Sequence, residues 1–79
     1  MKLEDLKKLM QSQVVEFSYI KKDGTTRTAH GTTNFDLVEE FGQDKLPKGT
    51  GTEPNGVTRY FDVDREAWRS FQNESYIEY

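Results

Sequence analysis

The sequence predicts a mainly β domain, a small barrel of five short strands preceded by one α-helix. Three observations carry this expectation. A helical apolar period near the N-terminus gives way after Gln13 to alternation with period two. Asp23-Gly24 and Asn55-Gly56 punctuate the chain where strands would turn back. Gly31 sits inside a threonine-rich segment, where a strand glycine marks a bulge or a bend that curves a sheet. With 79 residues the chain has room for one domain and no second.

Residues 1–12 form the helical segment and 13–79 the barrel. Leu3, Leu6 and Met10 recur at helical spacing with Leu9 beside them, and Lys2, Glu4, Asp5, Lys7 and Lys8 lie opposite. A helix over Lys2 to Gln11 is marginal alone, so its leucine stripe must dock on its own domain or on another chain. Val15, Phe17 and Tyr19 then share one face while Glu16 and Ser18 point away, the pattern of a half-buried strand. It ends at Lys21-Lys22-Asp23-Gly24, where Asp-Gly favours a type I′ turn with positive φ at both central residues. Thr25 to Thr33 returns as the second strand. Asn34 to Phe41 reads as a helical turn or a ragged strand. Residues 43–56 form a long loop that holds Pro47, Gly49, Gly51 and Pro54. Val57, Arg59, Phe61 and Val63 alternate with Thr58, Tyr60 and Asp62 as a third strand. Asp64 to Ala67 is a turn capped by Asp64. Trp68 to Gln72 is the fourth strand, and Tyr76 to Tyr79 is a fifth that closes on the first. Such short, strongly bent strands suit a small SH3/Sm-like barrel, whose closure removes exposed sheet edges.

Several stretches are more specific. Phe17-Ser18-Tyr19-Ile20-Lys21-Lys22-Asp23-Gly24-Thr25-Thr26-Arg27 runs into Gly31-Thr32-Thr33-Asn34, and Arg59-Tyr60-Phe61-Asp62-Val63-Asp64 is followed by Ala67-Trp68-Arg69-Ser70-Phe71. This combination resembles the small Sm-like SH3-barrel family known as the second type of WYL domain, found in tailed phages and their bacterial hosts. The resemblance covers residues 13 to 79, and its most specific parts are Gly31 to Asn34 and Trp68 to Phe71. It implies a five-stranded barrel and a phage origin. It implies little about chemistry, because the family has no settled catalytic activity, and its links to host-component binding and to ligand or nucleic-acid sensing are fold-level analogies.

Composition narrows the chemistry. Only 33% of residues are hydrophobic against 32% charged, so the core must be thin and lean on the 13% that are aromatic. There is no cysteine, which removes disulfides, thiolate nucleophiles and cysteine-based zinc sites and fits a reducing cytosol. No apolar run approaches membrane length, and Met1 to Met10 mixes charge with leucine unlike a secretory signal. His30 is the single histidine, with no carboxylate at ligand spacing after it. Asp62, Asp64 and Glu66 begin like a calcium loop, but Ala67 stands where that loop needs glycine and Asn73 where it needs glutamate. Gly49-Thr50-Gly51 lacks the Gly-Lys-Ser/Thr of a phosphate loop. The chain is therefore expected to be no enzyme and to use no cofactor or metal.

Binding surfaces are what remain. Lys21, Lys22, Arg27, Arg59 and Arg69 are candidate phosphate contacts, since arginine among Tyr60, Phe61, Trp68 and Phe71 is the combination that grips single strands. The net charge of −3 opposes that reading. Arg59 and Arg69 could instead make structural ion pairs, Arg59 with Asp62 or Glu66, and Trp68 and Phe71 are most economically core. For a protein partner the candidates are Tyr60 together with Glu39, Glu40 and Asp44, whose three carboxylates suit a basic surface. The expected function is a non-catalytic, phage-type binding module acting in the host cytoplasm on a bacterial protein, RNA or both. An inhibitor of a bacterial defence or toxin system is the leading form. A general RNA-binding or transcription-regulatory module is the alternative, and the last strand offers a route to self-association.

Overall fold

The computed structural model describes residues 1–46 and 56–78. Helix α1 spans Leu3–Met10, with Glu4 and Asp5 in its first turn and Lys7 and Lys8 in its last, as the helix dipole favours. Its Leu6 and Met10 are fully buried and join Phe17, Tyr19, Ala29, Tyr60 and Phe71 in one core cluster. The leucine stripe therefore docks on its own domain.

Four strands, β1 (Val15–Ile20), β2 (Thr26–Thr32), β3 (Val57–Asp62) and β4 (Ala67–Gln72), form one antiparallel sheet in that order. β1 pairs with β2 from Val15↔Gly31 to Ile20↔Thr26, and β3 with β4 from Val57↔Gln72 to Asp62↔Ala67. Between the two hairpins the ladder is short: Gly31↔Asp62 and Thr32↔Phe61, with Val63 N–H donating to His30 O at 3.0 Å. The sheet bends there. Gly31 pairs with Val15 of β1 on one side and Asp62 of β3 on the other, and a Cβ on it would lie 2.6 Å from Tyr60 Cδ2 and 3.0 Å from Phe17 Cε1. The position needs glycine because two aromatic rings press on it.

The Gly31-Thr32-Thr33-Asn34 stretch locks helix to sheet. Thr32 Oγ1 and Thr33 N–H donate to Met10 O at 2.8 and 2.9 Å, and Asn34 Nδ2 donates to Gln11 O at 3.0 Å. These bonds satisfy carbonyls that the end of α1 leaves open. Asn34 Oδ1 also accepts from Leu37 N–H at 3.1 Å and so caps α2 (Phe35–Glu39), which resolves the ambiguous segment as helix.

Three expectations change. The fifth strand shrinks to a single bridge, Tyr76 to Tyr19, with Ile77 N–H donating to Ser18 O at 3.0 Å. A 3-10 turn over Asn73–Ser75 consumes the residues that a longer strand would need, and Tyr79 lies outside the described residues. The Asp23-Gly24 turn is not type I′, because Gly24 (φ 88°) has positive φ and Asp23 does not. Asp23 instead accepts from the N–H and hydroxyl of Thr25, at 3.0 and 2.6 Å, which holds its carboxyl below the usual carboxylate range. The turn after β3 is capped by Asp62, not Asp64: Asp62 Oδ1 accepts from the N–H groups of Asp64 and Arg65 at 3.0 and 3.1 Å. Pro47, Pro54 and the Gly49-Thr50-Gly51 stretch lie outside the described residues.

Strand alternation builds two aromatic layers. Inside, Phe17 meets Tyr60 edge-on at 4.9 Å and Tyr19 stacks on Phe71 at 5.0 Å. On the opposite face of β3 and β4, Phe61 and Trp68 pack at 5.8 Å beneath α2.

Candidate interaction surfaces

The five candidate cations do not form one patch. Cross-strand partners share a face, so Arg27 opposite Tyr19 and Arg69 opposite Tyr60 lie on the face that carries the core rings, Arg27 mostly buried and Arg69 at its exposed margin. There Arg27 Nη2 donates to Asp62 Oδ2 at 2.5 Å, and Arg69 Nε stands 3.9 Å from the same oxygen. Asp62 is fully buried, and its bond to Arg27 raises the guanidinium pKa further. Arg27, mostly buried and paired, is thus removed from the phosphate-binding set. Arg59, opposite Ser70, lies on the other face of β3 from Asp62, so Asp62 takes Arg27 and Arg69 as its ion-pair partners instead. Lys21 and Lys22 stand apart at the exposed tip of the first hairpin.

Tyr60 is corrected in the same way. It is fully buried, its hydroxyl is 2.9 Å from that of Tyr19, and burial pushes its phenol well above the ordinary range. It is a core residue rather than a partner contact.

His30 gathers two carboxylates that sequence spacing did not reveal. Its Nδ1 lies 2.7 Å from Asp64 Oδ2 and its Nε2 lies 3.0 Å from Glu16 Oε2, tying β1, β2 and the β3–β4 turn together. Both ring nitrogens are thus engaged by carboxylates. Among the described residues no group of three histidine or carboxylate side chains is arranged to hold a metal ion. The bond to Asp64, seconded by Glu16, raises the imidazole pKa from 6.5. The sign follows. The clamp contributes fully below pH about 6.5 and fades as pH rises through the higher folded value, because neutral imidazole has one N–H for two acceptors. All three side chains are largely exposed, so the effect stays below about 1 kcal/mol. An NMR titration of the imidazole should show a midpoint above that of the urea-unfolded chain, and His30→Gln should flatten the pH dependence of the urea midpoint between pH 6 and 8.

The acidic candidates do come together. Glu39 and Glu40 end α2 and Asp44 lies in the following 3-10 turn; all are exposed, and Gln43 Nε2 donates to Glu39 Oε1 at 3.2 Å. No basic residue balances the last turn of α2, so two carboxylates sit at the negative end of its dipole. Beside them is a chain of rings: Phe35 to Trp68 at 6.3 Å, Trp68 to Phe61, and Phe61 to Phe41 at 5.3 Å. Phe61 is fully buried, but Phe35 is 55% exposed and Phe41 37%. Trp68 is half-buried, its Nε1 donating to Lys45 O at 2.6 Å. Sequence reading missed Phe35 and Phe41 as surface residues. The signal was Asn34 as a helix cap, which puts Phe35 in the first turn of an exposed helix.

At the other end of the sheet a groove of about 530 Å³ opens between the first hairpin and β4, lined by Ile20, Lys21, Lys22, Val57 and Phe71 among others. No helix among the described residues is long and apolar enough to cross a membrane.

Comparison with known proteins agrees with this geometry. The chain is 34% identical over 74 residues to an uncharacterised 11.5 kDa protein from the Gp31–cd intergenic region of enterobacteria phage T4, covering 94% of this chain and 72% of the relative. No solved structure matches. Residues 3–77, which take in α1 as well as the sheet, match the family model described as WYL_2, Sm-like SH3 beta-barrel fold, and the chain belongs to that family.

Proposed function

We propose that this chain is a non-catalytic binding module that docks through the α2 face on a basic surface of a bacterial host protein, as an inhibitor of a defence or toxin enzyme would. One observation carries the reading: Phe35, the most exposed large hydrophobic among the described residues, shares the short helix α2 with Asp36 and Glu39, and Glu40 and Asp44 follow it in the cap and the next turn. Aromatic anchors inside a charged rim are the usual anatomy of a protein interface. The acidic rim selects a basic partner, the surface a nucleic-acid-handling enzyme carries. The T4 relative supports a phage setting. RNA binding is less favoured, because Arg27 and Arg69 are turned toward Asp62 and the net charge is −3.

The test is capture from bacterial lysate with the tagged full chain. The expected result is one stoichiometric host protein, lost with Phe35→Ala plus Phe41→Ala and with Glu39→Lys plus Glu40→Lys, while both variants keep the wild-type circular dichroism spectrum. Loss of two aromatic anchors should weaken the isolated complex roughly 30-fold or more. Equal capture by the variants, or no stoichiometric protein with the wild type, counts against the proposal.

A further inference from the structure

The groove at the far end of the sheet is a second, separate surface. It is bordered by Val57 and Gln72, the end of the β3–β4 hairpin opposite to Phe61 and Trp68. Its floor is apolar. Tyr19 and Phe71 contribute to it, but their rings stack on each other and are almost wholly buried, 7% and 5% exposed. They offer no open ring face on which a base could stack. Beside the exposed polar Ser70 and Gln72, the apolar surface the groove exposes is aliphatic: Ile20, 39% exposed, and the half-buried Val57. Its rim is cationic. Lys21 and Lys22 are exposed; Asp23, the one carboxylate on the lining, accepts from the N–H and hydroxyl of Thr25 and stands 4.0 Å from Lys21 Nζ, a solvent-exposed pair that leaves the rim a net positive charge centred on Lys22.

Backbone groups complete the site. Among the described residues β4 has β3 as its only sheet neighbour, and the C-terminal tail meets β1 at Tyr19–Tyr76 and Ser18–Ile77. Beyond Tyr19 the groove lies between Ile20 to Lys22 and the end of β4; the N–H and C=O of Lys21 are spent inside the hairpin, on Thr25 O and Gly24 N–H, which leaves Ile20 as the β1 residue placed to pair. An extended chain laid there can exchange main-chain hydrogen bonds with an edge and drop a side chain into the floor. We infer that this groove takes an extended acidic segment of a partner protein, with an aliphatic side chain on Ile20 and Val57 and its carboxylates on Lys21 and Lys22. Aliphatic floor and cationic rim together select this ligand over RNA, which would need stacking rings, and over a basic peptide, which the lysines repel.

The experiment is an NMR titration of the full chain with a capped pentapeptide of aspartate, glutamate, leucine, aspartate and glutamate. A lysine–lysine–leucine–lysine–lysine peptide and hexauridylate are run in parallel. The acidic peptide should give saturable shifts at the amides of Ile20, Lys22, Val57, Ser70 and Gln72. Its affinity should fall roughly tenfold with Lys21→Glu plus Lys22→Glu, a change of surface charge that leaves the dispersed spectrum intact. Ile20→Asp should weaken it as well. Absence of saturable shifts, equal binding of the basic peptide, tighter binding of hexauridylate, no effect of charge reversal, or shifts centred on Phe35 to Glu40 would each overturn the assignment. The last outcome would leave the α2 proposal standing.

Discussion

Asp62→Ala is expected to cost about 3–5 kcal/mol, the usual loss when one partner of a buried ion pair is removed. A domain of this size has about 5–15 kcal/mol in total, so the variant should be marginally folded at 25 °C. Asp62 is fully buried and serves two structures at once. One oxygen takes Arg27 Nη2 at 2.5 Å; the other accepts the N–H groups of Asp64 and Arg65. Alanine strands a mostly buried guanidinium, whose Nε already lacks a hydrogen-bond partner, and uncaps the turn between β3 and β4. Asp62→Asn should lose less, because its amide oxygen can still cap the turn while the charge on Arg27 goes unanswered. Arg69→Ala should cost under about 1 kcal/mol, since that side chain is 44% exposed and stands 3.9 Å from the carboxylate. Urea denaturation of the three variants ranks them. If Asp62→Ala unfolds within 1 kcal/mol of the wild type, the buried network is not what holds the hairpins together.

Gly31→Val carries the second largest expected effect, about 2–4 kcal/mol, with Gly31→Ala somewhat below it. The added Cβ meets the Tyr60 ring at 2.6 Å and the Phe17 ring at 3.0 Å. Neither ring has room to retreat. Tyr60 is fully buried and hydrogen-bonded to Tyr19, and Phe17 packs on Tyr60, Tyr19 and Phe71. The backbone of β2 is held on both sides, by Val15 and by Asp62. The strain should appear as a fall in Tm of about 4–8 °C per kcal/mol for a chain of this length. An unchanged Tm for Gly31→Ala would mean that the bend absorbs a methyl group, and that the glycine is there for another reason.

Much of the fold was legible locally. Leu3, Leu6 and Met10 announce α1 by period, and Phe17 and Tyr19 announce the inner face of β1 by alternation. Gly31-Thr32-Thr33-Asn34 stood out as a pattern, but its work could not be read from it. Thr32, Thr33 and Asn34 bind carbonyls of Met10 and Gln11, more than 20 residues earlier in the chain, and only folding brings them near. The Asp-Gly turn went the other way: a strong local preference yielded to Thr25, whose N–H and hydroxyl capture the Asp23 carboxylate and keep Asp23 out of positive φ. The site was less legible than the fold. Alternation alone places Arg59 and Tyr60 on opposite faces of β3, but it does not say which face is buried. Tyr60 was therefore expected at the surface and Phe35 was passed over.

Period, charge and the places where only a small residue or a turn fits are properties of neighbouring residues, and for this chain they were readable from the order of its amino acids. Which charges are free to meet a partner was not. Arg27 and Asp62 lie 35 positions apart, and their pairing depends on two hairpins meeting at Gly31. A charge is silenced by what surrounds it in space, because burial and a partner within 3 Å outweigh anything its neighbours in the chain can do. The folded molecule thus separated cations of one apparent patch, and it set the acidic end of α2 beside rings that the chain order keeps apart.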